Sequence, residues 1–147
     1  MKEINILVNK GYTLFEISSL FGIRSTRFLR KVKDKIEMPS KSLKIMLCLE
    51  TDFIMGKKTM TELNNNTIKE LGINPYSLTP YANWVHPSTK EIKILCDLVG
   101  TSGEVGALVG ASGRSVRKWI GGVQEIPYSV WAILALNAGI GVIWRKN

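Results

Sequence analysis

Sliding the 147-residue sequence past itself by 88 positions lays residues 1–59 on residues 89–147 without a gap. Lys2, Glu3, Ile4, Ile6 and Leu7 meet Lys90, Glu91, Ile92, Ile94 and Leu95. Thr13, Glu16, Leu20 and Gly22 meet Thr101, Glu104, Leu108 and Gly110, and further on Glu37, Pro39 and Lys58 meet Glu125, Pro127 and Lys146. The matched residues are caps, apolar positions and a helix-starting proline, which are the residues a duplicated unit retains. A pattern carried twice restricts the chain to folds that build one small unit twice. The expected organisation is a first repeat at 1–59, a connector at 60–88 and a second repeat at 89–147.

The unit is most readable in the second repeat, "TSGEVGALVGASGRSVRKWIGG" at residues 101–122, where six glycines interrupt an apolar pattern of helical spacing. Glycine costs about 1 kcal/mol against alanine inside a helix, so each needs a purpose. A phosphate-binding loop fails on spacing, because Leu108 stands where Gly113-Arg114-Ser115 would need its partner glycine. A helix–turn–helix succeeds. Thr101 and Glu104 form a capping box, each side chain able to satisfy the other's backbone N–H. Val105, Leu108 and Val109 share a face, and Gly110 suits the left-handed end of a helix. Ser112 then caps a second helix with Val116, Trp119 and Ile120 on its apolar side. So short a turn demands a thin first helix at the crossing, and Gly106 supplies it. Gly103, Gly113, Gly121 and Gly122 have no part in this argument.

These residues resemble the lambda-repressor-like, or Cro/XRE-type, helix-turn-helix regulators. With the family's twenty-residue motif started at Ser102, its small, glycine and apolar positions fall on Gly106, Gly110, Val105, Val109, Ala111, Val116 and Trp119. The resemblance covers about 55 residues, from roughly Ser88 onward. In the first repeat, "TLFEISSLFGIRSTRFLRKV", a capping box recurs at Thr13 and Glu16, with Ile17, Phe21, Ile23 and Phe28 apolar, Ser18 small and Gly22 in the turn. It departs from the motif where Lys31 stands opposite Trp119, a packing role that Val32 is placed to assume. The resemblance implies an all-α fold of two tandem helix-turn-helix bundles.

Charge follows the same division. The formal net charge is +8: residues 1–59 carry +6, residues 89–147 carry +3, and the connector carries −1. Basic repeats around a near-neutral connector are expected if the repeats face a polyanion. Arg24, Arg27, Arg30, Lys31, Lys33 and Lys35 crowd one predicted helix and its exit, while Arg114, Arg117 and Lys118 sit opposite the apolar stripe of the other. An α-helix fits the major groove, and arginine can donate two hydrogen bonds to guanine. Lysines more often neutralise phosphates. The family resemblance implies base reading by Gly113, Arg114 and Arg117, with Ser112, Ser115 and Lys118 nearer the backbone. Its counterpart in the first repeat is Ser25, Thr26, Arg27 and Arg30, flanked by Arg24 and Lys31.

In the connector, Asn64–Asn66 breaks the apolar periodicity, Thr67 and Glu70 offer another capping box, and Gly72 closes a short helix. Tyr76, Tyr81 and Trp84 among Pro75, Pro80 and Pro87 predict a segment packed across both repeats rather than a flexible linker. Residues 126–144 hold no charge over 19 residues, close to a membrane span. Four charged residues at the aligned positions of the first repeat, and Asn137, Gly139 and Gly141, instead predict a helix ending near Ala138 with an apolar tail bound for the core or a subunit interface. Cys48 and Cys96 lack CxxC spacing and read as buried small hydrophobes in a reducing cytoplasm. His86 stands alone among histidines, and no carboxylate pair stands out. No enzyme, metal or cofactor is expected.

The expected function is sequence-specific binding of double-stranded DNA by a small cytoplasmic regulator, a repressor of the kind found on phages, plasmids and other mobile elements. One chain with two readers can cover an imperfect palindrome, whereas the family more commonly forms a homodimer. The alternative is a protein partner: an inhibitor or antitoxin that docks through the same helices.

Overall fold

Polar side chains set the starts of most helices. The computed structural model describes residues 2–23, 25–35, 39–56 and 63–145, and among these the chain is all-helical. The first four helices are α1 (Lys2–Asn9), α2 (Leu14–Phe21), α3 (Thr26–Lys33) and α4 (Lys41–Ile54). Thr13 and Glu16 complete a capping box at α2: the Glu16 N–H donates to Thr13 Oγ1 at 3.1 Å, and the Thr13 N–H donates to Glu16 Oε2 at 2.7 Å. The Thr13 N–H and the Thr13 hydroxyl, both donating to Glu16 Oε2, hold that carboxyl below its ordinary pKa. Gly22, at φ 69°, ends α2, and the Ser40 hydroxyl caps α4.

After α5 (Asn65–Leu71) and two short 3-10 turns, Pro75–Leu78 and Tyr81–Asn83, the same order returns: α6 (Thr89–Val99), α7 (Ser102–Val109), α8 (Gly113–Ile120) and α9 (Tyr128–Asn137). Thr101 caps α7 through the Glu104 N–H, but the glutamate's return bond goes to the threonine hydroxyl, not to its backbone N–H as the capping-box pattern predicts. The cap of α5 also differs from expectation. Asn64 Oδ1 accepts from the Thr67 N–H at 3.1 Å, so the helix begins a turn before the Thr67–Glu70 pair, and Asn65 and Asn66 fall inside its first turn. Asparagine is among the strongest N-caps, and its carboxamide takes the N–H first. Gly72 closes α5 as anticipated.

The repeat is not gap-free. α2 and α7 lie 88 residues apart, yet α3 and α8, like α4 and α9, start 87 apart. Between the helix-ending glycine and the serine N-cap, residues 23 and 24 in the first half stand against Ala111 alone in the second. Burial agrees with the shorter offset: Leu29 and Val32 are buried in α3 where Val116 and Trp119 are buried in α8. Val32, not Lys31, therefore occupies the place of Trp119. The ungapped alignment conceals this because one extra residue before Ser25 puts α3 and α4 one position out of register, so that Ser40, not Pro39, stands at the N-cap where α9 has Pro127.

One continuous core runs through both halves, from Ile4, Leu7, Ile17 and Leu29 to Leu95, Val105, Val116 and the α9 residues Trp131–Ala135. The segment at 63–88 is fastened across it. Ser77 O accepts from both Trp84 Nε1, at 2.9 Å, and Trp131 Nε1, at 2.7 Å. The Tyr128 hydroxyl donates to Thr79 O, the Asn74 N–H donates to buried Glu91, and Tyr81 packs edge-on against Tyr128. After α9 the chain turns back, burying Ile140, Val142, Ile143 and Trp144. Among the described residues no helix is long and apolar enough to cross a membrane. Cys96 is buried, which pushes its thiol up to about 11, whereas Cys48, expected to be buried, is only half-buried and its thiol donates to Glu3 Oε1 at 3.6 Å.

Candidate nucleic-acid interface

α8 is held on one side and offered on the other. Val116 and Trp119 are buried, while Ser112, Arg114 and Arg117 are exposed and Gly113, Ser115 and Lys118 half-buried. The Ser112 Oγ accepts from the Ser115 N–H at 3.1 Å, fixing the first turn. The preceding crossing is as tight as its glycine implies. A Cβ built on Gly106 would lie 2.5 Å from Ala111 O, a backbone atom with nowhere to move. Gly113 also lies against α7, since a Cβ there would sit 3.4 Å from Gly103 N. A Cβ at either Gly113 or Gly103 would make only ordinary contacts, so of the glycines here Gly106 alone is required by the crossing.

α3 repeats the arrangement with different support. Leu29 and Val32 are buried, Ser25, Arg27 and Arg30 are exposed, and Thr26 and Lys31 are half-buried. Arg24 lies outside the described residues. Ser25 occupies the N-cap position, but its side chain makes no capping bond. With the 87-residue offset the two helices carry one pattern: Ser25, Arg27, Arg30 and Lys31 stand where Ser112, Arg114, Arg117 and Lys118 stand. The ungapped repeat set Arg114 against Thr26 and hid this equivalence.

Neither α3 nor α8 contains an acidic residue. Among the described residues the ion pairs join Glu50 to Arg145, Lys93 to Asp97 and His86 to Glu125, so Arg27, Arg30, Arg114 and Arg117 keep their charges for solvent or a ligand. Ser25, Thr26 and Arg27 also border an open hollow of about 520 Å³, whose rim includes Phe15. Phe15 is 71% exposed and was not among the expected contact residues; its counterpart in α7 is Gly103. The signal in the sequence was the bulky side chain at the second position of α2. No cluster of metal-ligating side chains occurs among the described residues.

Two proteins of Escherichia coli, each named transcriptional repressor protein KorC, are similar to this chain. One is 40% identical over 82 residues, covering 53% of this chain and 96% of the relative. The other is 38% identical over 73 residues, covering 47% and 86%. The matched segment thus takes up about half of this chain and nearly all of the first relative. No family model matches the chain, and no solved structure matches it.

Proposed function

Because the chain belongs to the family of KorC transcriptional repressors, we propose that it represses by binding duplex DNA, laying α8 and α3 in the major groove. The observation that carries the reading is the division of α8, with its Val116–Trp119 side packed into protein and Arg114 and Arg117 exposed beyond a serine-capped first turn. In such a pose the arginines meet guanine edges, and Ser112, Ser115 and Lys118 lie toward phosphates. Gly113 keeps the start of the helix slim enough for close approach. Ser25, Thr26, Arg27, Arg30 and Lys31 do the same work on α3, joined by Arg24, which precedes them in the sequence. The same reading makes the chain a Cro/XRE-type regulator and not an enzyme.

A mobility-shift titration on the DNA upstream of its own gene, repeated at two salt concentrations, tests this. Specific binding that weakens as salt rises is expected, because neutralising phosphates releases counterions. Arg114→Ala is expected to cost about 1–3 kcal/mol of discrimination. Unchanged affinity in both Arg114→Ala and Arg27→Ala would remove the helices from the interface. Failure to bind any duplex, with one protein partner recovered instead, would favour an inhibitor that docks through these helices.

A further inference from the structure

The two halves touch each other reciprocally. In the first half, the turn glycine Gly22 lies under the start of α9: a Cβ built on it would come within 3.0 Å of Tyr128 Cβ. In the second half, the matching Gly110 lies under the start of α4, where its Cβ would fall 2.5 Å from Lys41 Cβ. Gly22 and Gly110 are equivalent, and so are Lys41 and Tyr128, each the first residue of its helix. α4 and α9 pack against each other between these contacts. Lys41 Nζ and Ser42 Oγ donate to Ala107 O and Val109 O, locking α4 onto the end of α7.

A contact in which patch i of one unit meets patch j of the other, and j meets i, defines a two-fold relation; a head-to-tail arrangement would pair the patches only once. The two-fold here lies inside one chain. It relates α3 to α8, and those helices present the same serine, two arginines and lysine at the same places. Operator symmetry mirrors protein symmetry when two-fold-related helices enter one face of a duplex. Resting on the DNA-binding reading above, we infer that a single chain occupies a whole operator made of two similar half-sites in inverted orientation, α3 reading one and α8 the other. The internal α4–α9 contact stands in place of a dimer interface.

The halves are similar but not identical, and the difference lies beside the readers. Phe15 stands exposed next to Ser25–Arg27, where the second half has Gly103 against Gly113. Phenylalanine can contact the methyl group of thymine. The α3 half-site is therefore expected to carry a thymine preference at one flanking position that the α8 half-site lacks.

Selection of bound sequences from random duplexes with the full chain, followed by native mass spectrometry of the complex, tests the inference. Two related half-sites in inverted orientation and one chain per duplex are the expected result. Arg27→Ala should relax sequence preference in one half alone and Arg114→Ala in the other, each weakening binding about ten- to a hundredfold. Phe15→Gly should remove the flanking preference from the half that Arg27→Ala affects. Half-sites in direct orientation, a lone half-site, or two chains on one symmetric operator would overturn the inference while leaving DNA binding intact. Enrichment of no sequence at all would overturn the DNA-binding reading itself, and this inference with it.

Discussion

α3 and α8 offer the same charged residues from unlike foundations. In the second half, α7 crosses α8 through a turn one residue shorter, and only Gly106 leaves room for Ala111 O. In the first half the longer turn accommodates Ser18, whose buried hydroxyl donates to Phe15 O at 2.7 Å. The partner helices differ as well. α9 is buried by apolar residues alone from Val130 to Ala135, whereas α4 buries Ser42, Glu50 and Thr51. Glu50 is fully buried and meets Arg145 and Trp144 of the returning C-terminal segment, while Arg145 also lies over the Phe53 ring at 4.1 Å. The same basic surface can thus be mounted on a helix buried by apolar residues alone or on one that buries polar groups. The second mounting depends on chain from the far end of the molecule.

The largest test of that contrast is Glu50→Ala. Removing one member of a buried ion pair costs about 3–5 kcal/mol; Arg145 keeps some exposure, so the lower end of that range is expected in a urea titration. Glu50 sits between the halves, so the loss should reach α3 as well as the C-terminal segment. A change below about 1 kcal/mol would show the pair to be dispensable, as surface pairs are.

Next in size is Gly106→Ser, which imports the first half's residue into the second half's shorter turn. Overpacking against an immobile backbone oxygen is expected to cost about 1–3 kcal/mol or more. Inserting one residue after Ala111 in the same variant should recover part of the loss. If Gly106→Ser alone is neutral by thermal melting, turn length does not explain the serine–glycine difference.

The smallest expected effect separates the two serine caps. Ser112→Ala should destabilise by about 1 kcal/mol, the usual worth of an N-cap hydroxyl. Ser25→Ala should change stability by no more than a few tenths, about the range of surface substitutions, because its hydroxyl makes no capping bond. Equal losses in the two variants, measured by denaturant midpoint, would break the contrast.

Much of this was readable along the chain. Glu16 three residues after Thr13, Gly22 and Gly110 at helix ends, and the Val116–Trp119 stripe act within one or two turns of backbone, so residue type and spacing were enough. The cap of α5 differs from expectation within that same range: Asn64 accepts the Thr67 N–H and starts the helix three residues earlier, which leaves Thr67 inside it. Three features lay beyond it: the one-residue offset between α3 and α8, the seating of Gly110 on Lys41, and the pairing of Glu50 with Arg145. The offset needs to be seen through burial, since Lys31 and Val32 are neighbours in the chain and only packing tells which one faces the core.

By itself, then, the amino-acid order determined an all-helical chain with two basic helices, each started by serine and each apolar along one side. Capping, glycine geometry and apolar periodicity are local properties, and they sufficed for that. The tertiary structure alone decided that the halves meet reciprocally through α4 and α9, and that Arg27 and Arg30 match Arg114 and Arg117. The first depends on contacts between residues 66 to 106 positions apart and the second on which residues of α3 and α8 are buried; excluded volume and burial, not local backbone preference, decide both.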